Sequence, residues 1–396
     1  MSQTDFHYQK KELPASLSRL GIIIFVVGTV LSLLAFFVDQ ERAIFNYLVT
    51  YMMIVSIGLG SLFLIGLEYI AGADWSTPIR RIPEFFAMIL PVLFVLVIPI
   101  LVFNHDLFHW AHKEAVADDK ILQGKAPYLN VTFFIIRTFV FIGLWSLFYF
   151  VMTRNSRKQD ETKDQTLTKK NIRLGAIFIP VFALSITFTA VDLMMSLEPH
   201  WFSTIYGVYY FAGTVVASLA AITIAVILLK EKGYFGSWMT NDHLFSLGAL
   251  LFAFVNFWAY IAFSQFMLIW YADLPEETFW YLTRWNGGWM FISLLLIVTH
   301  FLVPYFALLT QPSKMNPKVL KFIAIWLLFA HLLDMFWLVM PNMGSMKSGY
   351  VFSWIDLVFP IAGTGLVILV FAFAAKKANL IPIGDPKLKR GIDFHL

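Results

Sequence analysis

Ten runs of about 20 mostly apolar residues dominate this 396-residue sequence, near 19–38, 43–70, 83–103, 131–152, 174–197, 205–229, 243–271, 285–309, 319–340 and 352–375. A bilayer's hydrocarbon core is about 30 Å thick, and an α-helix crosses it in roughly 20 residues at about 1.5 Å per residue. In lipid an open strand would leave backbone N–H and C=O groups unpaired, so a single run can span only as a helix. The chain is therefore expected to be an all-α integral membrane protein with about ten transmembrane helices. Composition agrees: 59% of residues are hydrophobic and 14% charged, against about 25% charged in soluble domains. The first run follows a polar stretch of 18 residues and ends Phe37-Val38-Asp39 without a small-residue cleavage site, so it reads as a span and not as a signal peptide.

Lysine and arginine set the orientation. With the N-terminus cytoplasmic, 22 of the 29 fall on that side. Seven of these lie in or beside the 153–173 segment: Arg154, Arg157, Lys158, Lys163, Lys169, Lys170 and Arg173. Six fall on the outer side, and Arg137 lies within a span. The positive-inside rule then puts both termini in the cytoplasm. The net charge of +4 mainly reflects this cytoplasmic trim and gives no reason to expect nucleic acid; membrane lipid is the surrounding partner.

The expected organisation is a cytoplasmic tail (1–18), a peripheral helix (19–42), a first four-helix bundle (43–197), a second (198–340), a further peripheral helix (341–375) and a cytoplasmic tail (376–396). Spans two to five and six to nine make the bundles, flanked by spans one and ten. Segment 153–173, rich in Lys, Asp, Thr and Gln without apolar periodicity, is expected to be a flexible linker on the cytoplasmic side. Segment 104–130 is the longest outer loop, with a short surface helix expected over 104–117. Asp192 and Asp334 each stand seven residues before the proline that closes their span, Pro199 and Pro341. That hints at a parallel internal duplication.

An ionisable side chain in a span costs about 2.5–3.5 kcal/mol on insertion scales, so each one demands an explanation. Arg137 either snorkels to the outer head groups or pairs with Asp192 at similar depth on the next span, where the pair would suit a quinone carbonyl or a proton. His331 and Asp334, three residues apart, share one face of span nine. They make either a proton relay or a structural hydrogen bond. His300 on span eight lies nearer the cytoplasmic end, so His300, His331 and Asp334 are expected to step from inner to outer side, with Asp192 a further proton-path candidate. That difference in depth also argues against bis-histidine haem ligation. Asn256 and Gln265 add polar groups to span seven, and Glu68 beside Arg80, Arg81 and Glu84 reads as a surface ion-pair member. Gly213, Ala217 and Ala221 form a small-residue packing stripe without chemistry.

Cysteine is absent. That excludes iron–sulfur ligation, C-x-x-C-H haem attachment, thiolate zinc sites and disulfides contributed by this chain. No metal is assigned to it. His105, His109 and His112 have the i, i+4, i+7 spacing that could bind zinc on a helix, but Phe108 and Trp110 among them favour a docking helix. Tryptophans crowd the outer boundary (Trp110, Trp201, Trp270, Trp280, Trp285, Trp289, Trp337, Trp354), against Trp75 and Trp238 near the inner one. The excess over an even interfacial belt points to a docked partner protein.

Three stretches carry a family resemblance: Ser196-Leu-Glu-Pro-His-Trp-Phe-Ser-Thr-Ile-Tyr-Gly-Val-Tyr-Tyr-Phe-Ala-Gly213, then Phe263 to Tyr271 followed by Leu274-Pro-Glu-Glu-Thr-Phe-Trp-Tyr281, and His105 to Glu114. They resemble the smaller NrfD-like (polysulfide-reductase-like) membrane subunit of bacterial alternative complex III, a respiratory quinol:electron-acceptor oxidoreductase. The resemblance implies ten helices as two bundles with flanking helices, in the bacterial inner membrane. It implies an iron–sulfur protein on the outer face, multi-haem cytochromes c, a larger NrfD-like paralogue and other small membrane subunits as partners. No cofactor is expected on this chain; menaquinone or another quinone would belong to the complex. The expected role is structural and proton-conducting, the chain alone not being catalytic, with His105, His109, Trp110, His112, His200 and Trp201 at the docking face. Two alternatives stay open: a quinone site at Arg137 and Asp192, and a free-standing proton-coupled transporter.

Overall fold

A computed structural model describes residues 12–396; residues 1–11 of the expected N-terminal tail lie outside the described residues. Ten helical segments are long and apolar enough to cross a membrane: α1 (Ala15–Val38), α2 (Gln40–Ala71), α3 (Arg81–Val102), α4 (Val131–Thr162), α5 (Thr166–Leu197), α6 (Tyr206–Glu231), α7 (Asn241–Ala272), α8 (Gly288–Leu308), α9 (Pro317–Asn342) and α10 (Ile355–Lys376). No strand occurs among the described residues.

Polar residues between the apolar runs start and stop the helices. Asp39, Asn130, Thr240 and Asn316 accept hydrogen bonds from first-turn backbone N–H groups at the starts of α2, α4, α7 and α9. Gly72 ends α2 in the left-handed conformation, at φ 67°. Proline explains the irregular spans. In α3, Pro91 and Pro99 divide the span into α-helical and 3-10 pieces. In α8, Pro304 cannot donate to the carbonyl four residues earlier, that of His300, and residues 297–302 widen into a π-helical turn.

Helices α2 and α6 form the core: 89% and 83% of their most apolar windows are buried, against 22% for α1. They pack on each other. Helix α2 also touches α3, α5, α9 and α10, while α6 touches α5, α7 and α9. The outermost helices pair with each other. Gly28 of α1 lies against the Ala362 backbone of α10, and Gly365 of α10 against Phe25, approaches that a Cβ would block. Arg42 and Asp356 tie α2 to α10 through paired 2.8 and 2.6 Å hydrogen bonds.

Three expectations need correction. The 153–173 segment is no flexible linker: α4 runs to Thr162, α5 starts at Thr166, and Ser156, Gln159, Asp160, Thr168 and Asn171 are buried. Its polar residues face other polar residues, which hid the helical period in a hydropathy reading. Glu68 is no surface residue either. It is buried with Arg80, Arg81, Glu84, Asp160 and Asp385, linked by Arg80–Glu68 (3.1 Å), Arg80–Asp385 (2.5 Å), Arg81–Glu84 (2.5 Å) and Arg81–Asp160 (2.6 Å). The 376–396 segment closes this cluster instead of hanging free. Asp385 supplies a carboxylate, Gly384 N–H donates to Asp160, and Leu380, Ile381 and Leu388 are buried.

Candidate functional site

Five helices meet around three buried ionisable side chains. The π-helical turn of α8 carries His300, while α9 presents His331 and Asp334 less than one turn apart; all three are fully buried. Helix α6 comes close because residue 213 is glycine. A Cβ there would stand 2.8 Å from His331 Cε1 and 2.9 Å from its Nδ1. The small-residue stripe therefore shapes the site as well as packing the helices.

Each member is oriented by a named neighbour. Tyr209 on α6 donates its hydroxyl to Asp334 Oδ1 at 2.5 Å, and Trp258 on α7 donates its indole N–H to Oδ2 at 3.0 Å. Trp258 also stacks on His300, with ring centroids 3.8 Å apart. His331 Nε2 lies 3.0 Å from Ser56 Oγ on α2, and Ser56 lies within 3.4 Å of the hydroxyls of Tyr210 and Thr214. Both ring nitrogens of His300 and Nδ1 of His331 have no hydrogen-bond partner among the described residues. Buried polar atoms are normally paired, and leaving one unpaired costs about 1–3 kcal/mol, so three in one place make this cluster a candidate site.

This geometry makes the expected series one compact cluster. One ligand atom each from His300, His331 and Asp334 lies within 4.8 Å of the others, and the histidine rings are 6.2 Å apart. Crowding adds to the argument against haem ligation: Trp258 covers one face of His300, and α6 lies against His331. Two imidazoles and a carboxylate at this spacing could hold a metal ion or share protons.

Arg137 and Asp192 meet as a bidentate pair, Nε to Oδ2 and Nη2 to Oδ1, each 2.9 Å. Nη1 donates to the Tyr128 carbonyl at 2.9 Å, and the guanidinium lies 3.9 Å from the Tyr128 ring. The arginine is thus clamped within the protein and does not snorkel. Of the other span polar groups, Asn256 bonds its own helix at Phe252, and Gln265 bridges Ser203 and Tyr281.

The face expected to lie outside differs from the sequence reading. Phe108 has extended backbone and breaks the expected surface helix, so His105, His109 and His112 do not form one helical face. Their rings still gather, 5.1 Å between His105 and His112 and 6.4 Å between His109 and His112, all exposed. Trp110 stacks inside on Phe108, and Trp201 stacks on Trp280 at 4.4 Å; both are buried and offer no ring to a partner. His200 joins two loops through Asp119 (2.5 Å) and Glu198 (3.4 Å), and its hydrogen bond holds the Asp119 carboxyl below the usual range. Exposed rings remain at Trp270, Trp285 and Trp354.

Sequence reasoning missed Ser56, Tyr209 and Trp258, since a hydroxyl or indole in an apolar run gives no signal by itself. It also missed Arg284. This fully enclosed arginine donates to the carbonyls of Trp337 (3.2 Å) and Leu338 (2.9 Å) at the end of α9 and of Trp280 (3.0 Å). Its guanidinium lies 3.4 Å from the Trp280 ring, and burial pulls its pKa down to about 9. It caps the negative end of α9, whose last carbonyls lack helical partners. Arg284→Ala is expected to lower stability by about 3 kcal/mol, the scale of losing charge-assisted hydrogen bonds. Chemical-denaturant unfolding in detergent measures it, and a change under about 0.5 kcal/mol, the range of a neutral surface substitution, would refute the capping role.

No protein-family model matches this chain, and a search of curated proteins finds none that matches.

Proposed function

We propose that this protein is the smaller NrfD-like membrane subunit of a respiratory quinol:electron-acceptor oxidoreductase of the alternative complex III type. It sits in the bacterial inner membrane with both termini cytoplasmic, its two four-helix bundles flanked by α1 and α10. It binds no metal cluster and leaves electron transfer to an outer iron–sulfur protein, multi-haem cytochromes c and the larger paralogue. Its own part is to scaffold the membrane arm and to hand protons through α6–α9.

The observation that carries the proton role is the buried His300–His331–Asp334 cluster, with three unpartnered ring nitrogens and a hydrogen-bonded link through Ser56 to Tyr210 and Thr214. Imidazole and carboxylate exchange protons with little movement, and hydroxyls pass them by rotating. Family membership rests on the outer-loop motifs of the sequence. The quinone alternative at Arg137 and Asp192 is less favoured, because that guanidinium already spends three donors on Asp192 and Tyr128.

Purification of the native protein in mild detergent tests the assembly. Co-elution with c-type haem absorbance and quinol-oxidising activity is expected. A colourless preparation of this chain alone would replace this reading with the transporter. Elemental analysis of the same preparation separates protons from metal: about one transition-metal ion per chain, lost in His331→Ala, would mean that the cluster coordinates metal.

A further inference from the structure

The cytoplasmic end of α4 has two unlike faces. Ser156, Gln159 and Asp160 turn inward and are buried, Asp160 paired with Arg81. The other face carries Phe150, Arg154, Arg157, Lys158 and Glu161, which with Thr153 and Thr162 line an open groove of about 440 Å³. No ion pair within 4.0 Å involves Arg154, Arg157 or Lys158 among the described residues, although Glu161 stands within one turn of the last two. Arg157 is the most telling of the three. Its guanidinium interacts with the Tyr149 phenol, while its Nε and Nη2 are buried with no hydrogen-bond partner among the described residues. A cation held in that state gains by turning toward an anion that accepts both donors.

Depth identifies the anion. Arg154 comes about 23 residues into α4, roughly 35 Å along the helix, just past an apolar slab about 30 Å thick. Immediately below, Leu147 and Phe150 are half exposed and face lipid. The groove therefore has an acyl-chain floor and a cationic rim at head-group level.

We propose that this groove binds the phosphate head group of an anionic phospholipid of the cytoplasmic leaflet, with Arg154 and Arg157 as its main donors and Lys158 as a third charge. The phosphate takes the unpaired Arg157 donors, and Phe150 packs against an acyl chain. This site is separate from the proton cluster, and its test does not depend on that reading.

Native mass spectrometry of the full chain, released from nanodiscs of phosphatidylglycerol mixed with phosphatidylcholine, tests it. Retained lipid should be enriched in phosphatidylglycerol. Each basic residue near an anionic surface is worth roughly fivefold in binding, so Arg154→Gln with Arg157→Gln should weaken retention by about thirtyfold. Lys169→Gln with Lys170→Gln, outside the groove, should leave it unchanged. Arg154, Lys169 and Lys170 are exposed and Arg157 is half-buried, so an unaltered thermal melt verifies the fold of both double variants. Equal retention of the two lipids would overturn the proposal, as would equal retention by wild type and the Arg154/Arg157 variant. Displacement of phosphatidylglycerol by millimolar inorganic phosphate would likewise overturn it, because the groove would then be a site for free phosphate and not for lipid.

Discussion

If the proposed relay operates, Asp334→Asn should lower the number of protons moved per electron when the proposed complex turns over in liposomes, while the fold survives. The asparagine keeps one carbonyl oxygen for the Trp258 indole N–H, and the Tyr209 hydroxyl can rotate to accept from the new amide. The hydrogen bonds are rearranged and not abolished, for a cost of about 1 kcal/mol. What disappears is the carboxylate on which, in the proposed relay, a proton would rest beside His331 and His300. Asp334→Ala should differ in kind. It leaves Tyr209 and Trp258 as two buried donors without an acceptor, at about 1–3 kcal/mol each, so it should destabilise as well as inactivate. An unchanged proton-to-electron ratio and turnover in the Asn variant would remove the relay from this chain. A ratio that falls only in Ala, in step with stability, would make the cluster a structural pin.

The second large effect belongs to Arg137. Removing it alone strands the Asp192 carboxylate inside the protein, and breaking a buried pair in this way costs about 3–5 kcal/mol. Replacing both partners, as in Arg137→Met with Asp192→Asn, removes the stranded charge and should recover most of that loss. Unfolding of the four species in detergent closes the double-mutant cycle. A coupling below about 0.5 kcal/mol would mean that the two residues act independently, the usual result for sites that do not interact. An azido-quinone that labels α4 or α5, with labelling lost in the double variant, would instead favour the quinone alternative.

The ten spans were legible because each is a long apolar run, and a helix is all such a run can become in lipid. The pairing of Arg137 with Asp192 was legible too, since two opposite charges at one depth on successive helices have few other partners. The site was half legible. His300, His331 and Asp334 stood out as costly residues, but their convergence within 4.8 Å did not, because it depends on how α8 packs on α9. Ser56 and Tyr209 come from helices α2 and α6, distant in sequence from the residues they touch. Trp110 and Trp201 misled for a related reason: a tryptophan near a membrane boundary reads alike whether it faces lipid, a partner or another tryptophan. Packing decides, and packing is non-local.

The pairing of α1 with α10 bears on the order in which the molecule can be made. In a chain inserted from its N-terminus α1 emerges well before the helix whose small residues it fits, since eight spans are made between them. Until then α1 has to stand in lipid on its own hydrophobicity, and Arg42 and Arg80 wait some 300 residues of synthesis for Asp356 and Asp385. The fold is thus fastened by helices far apart in sequence. A nascent chain cut short before α10 would still be open, with Arg42 lacking its carboxylate and Arg80 held by Glu68 without Asp385, a state that membrane quality control could recognise.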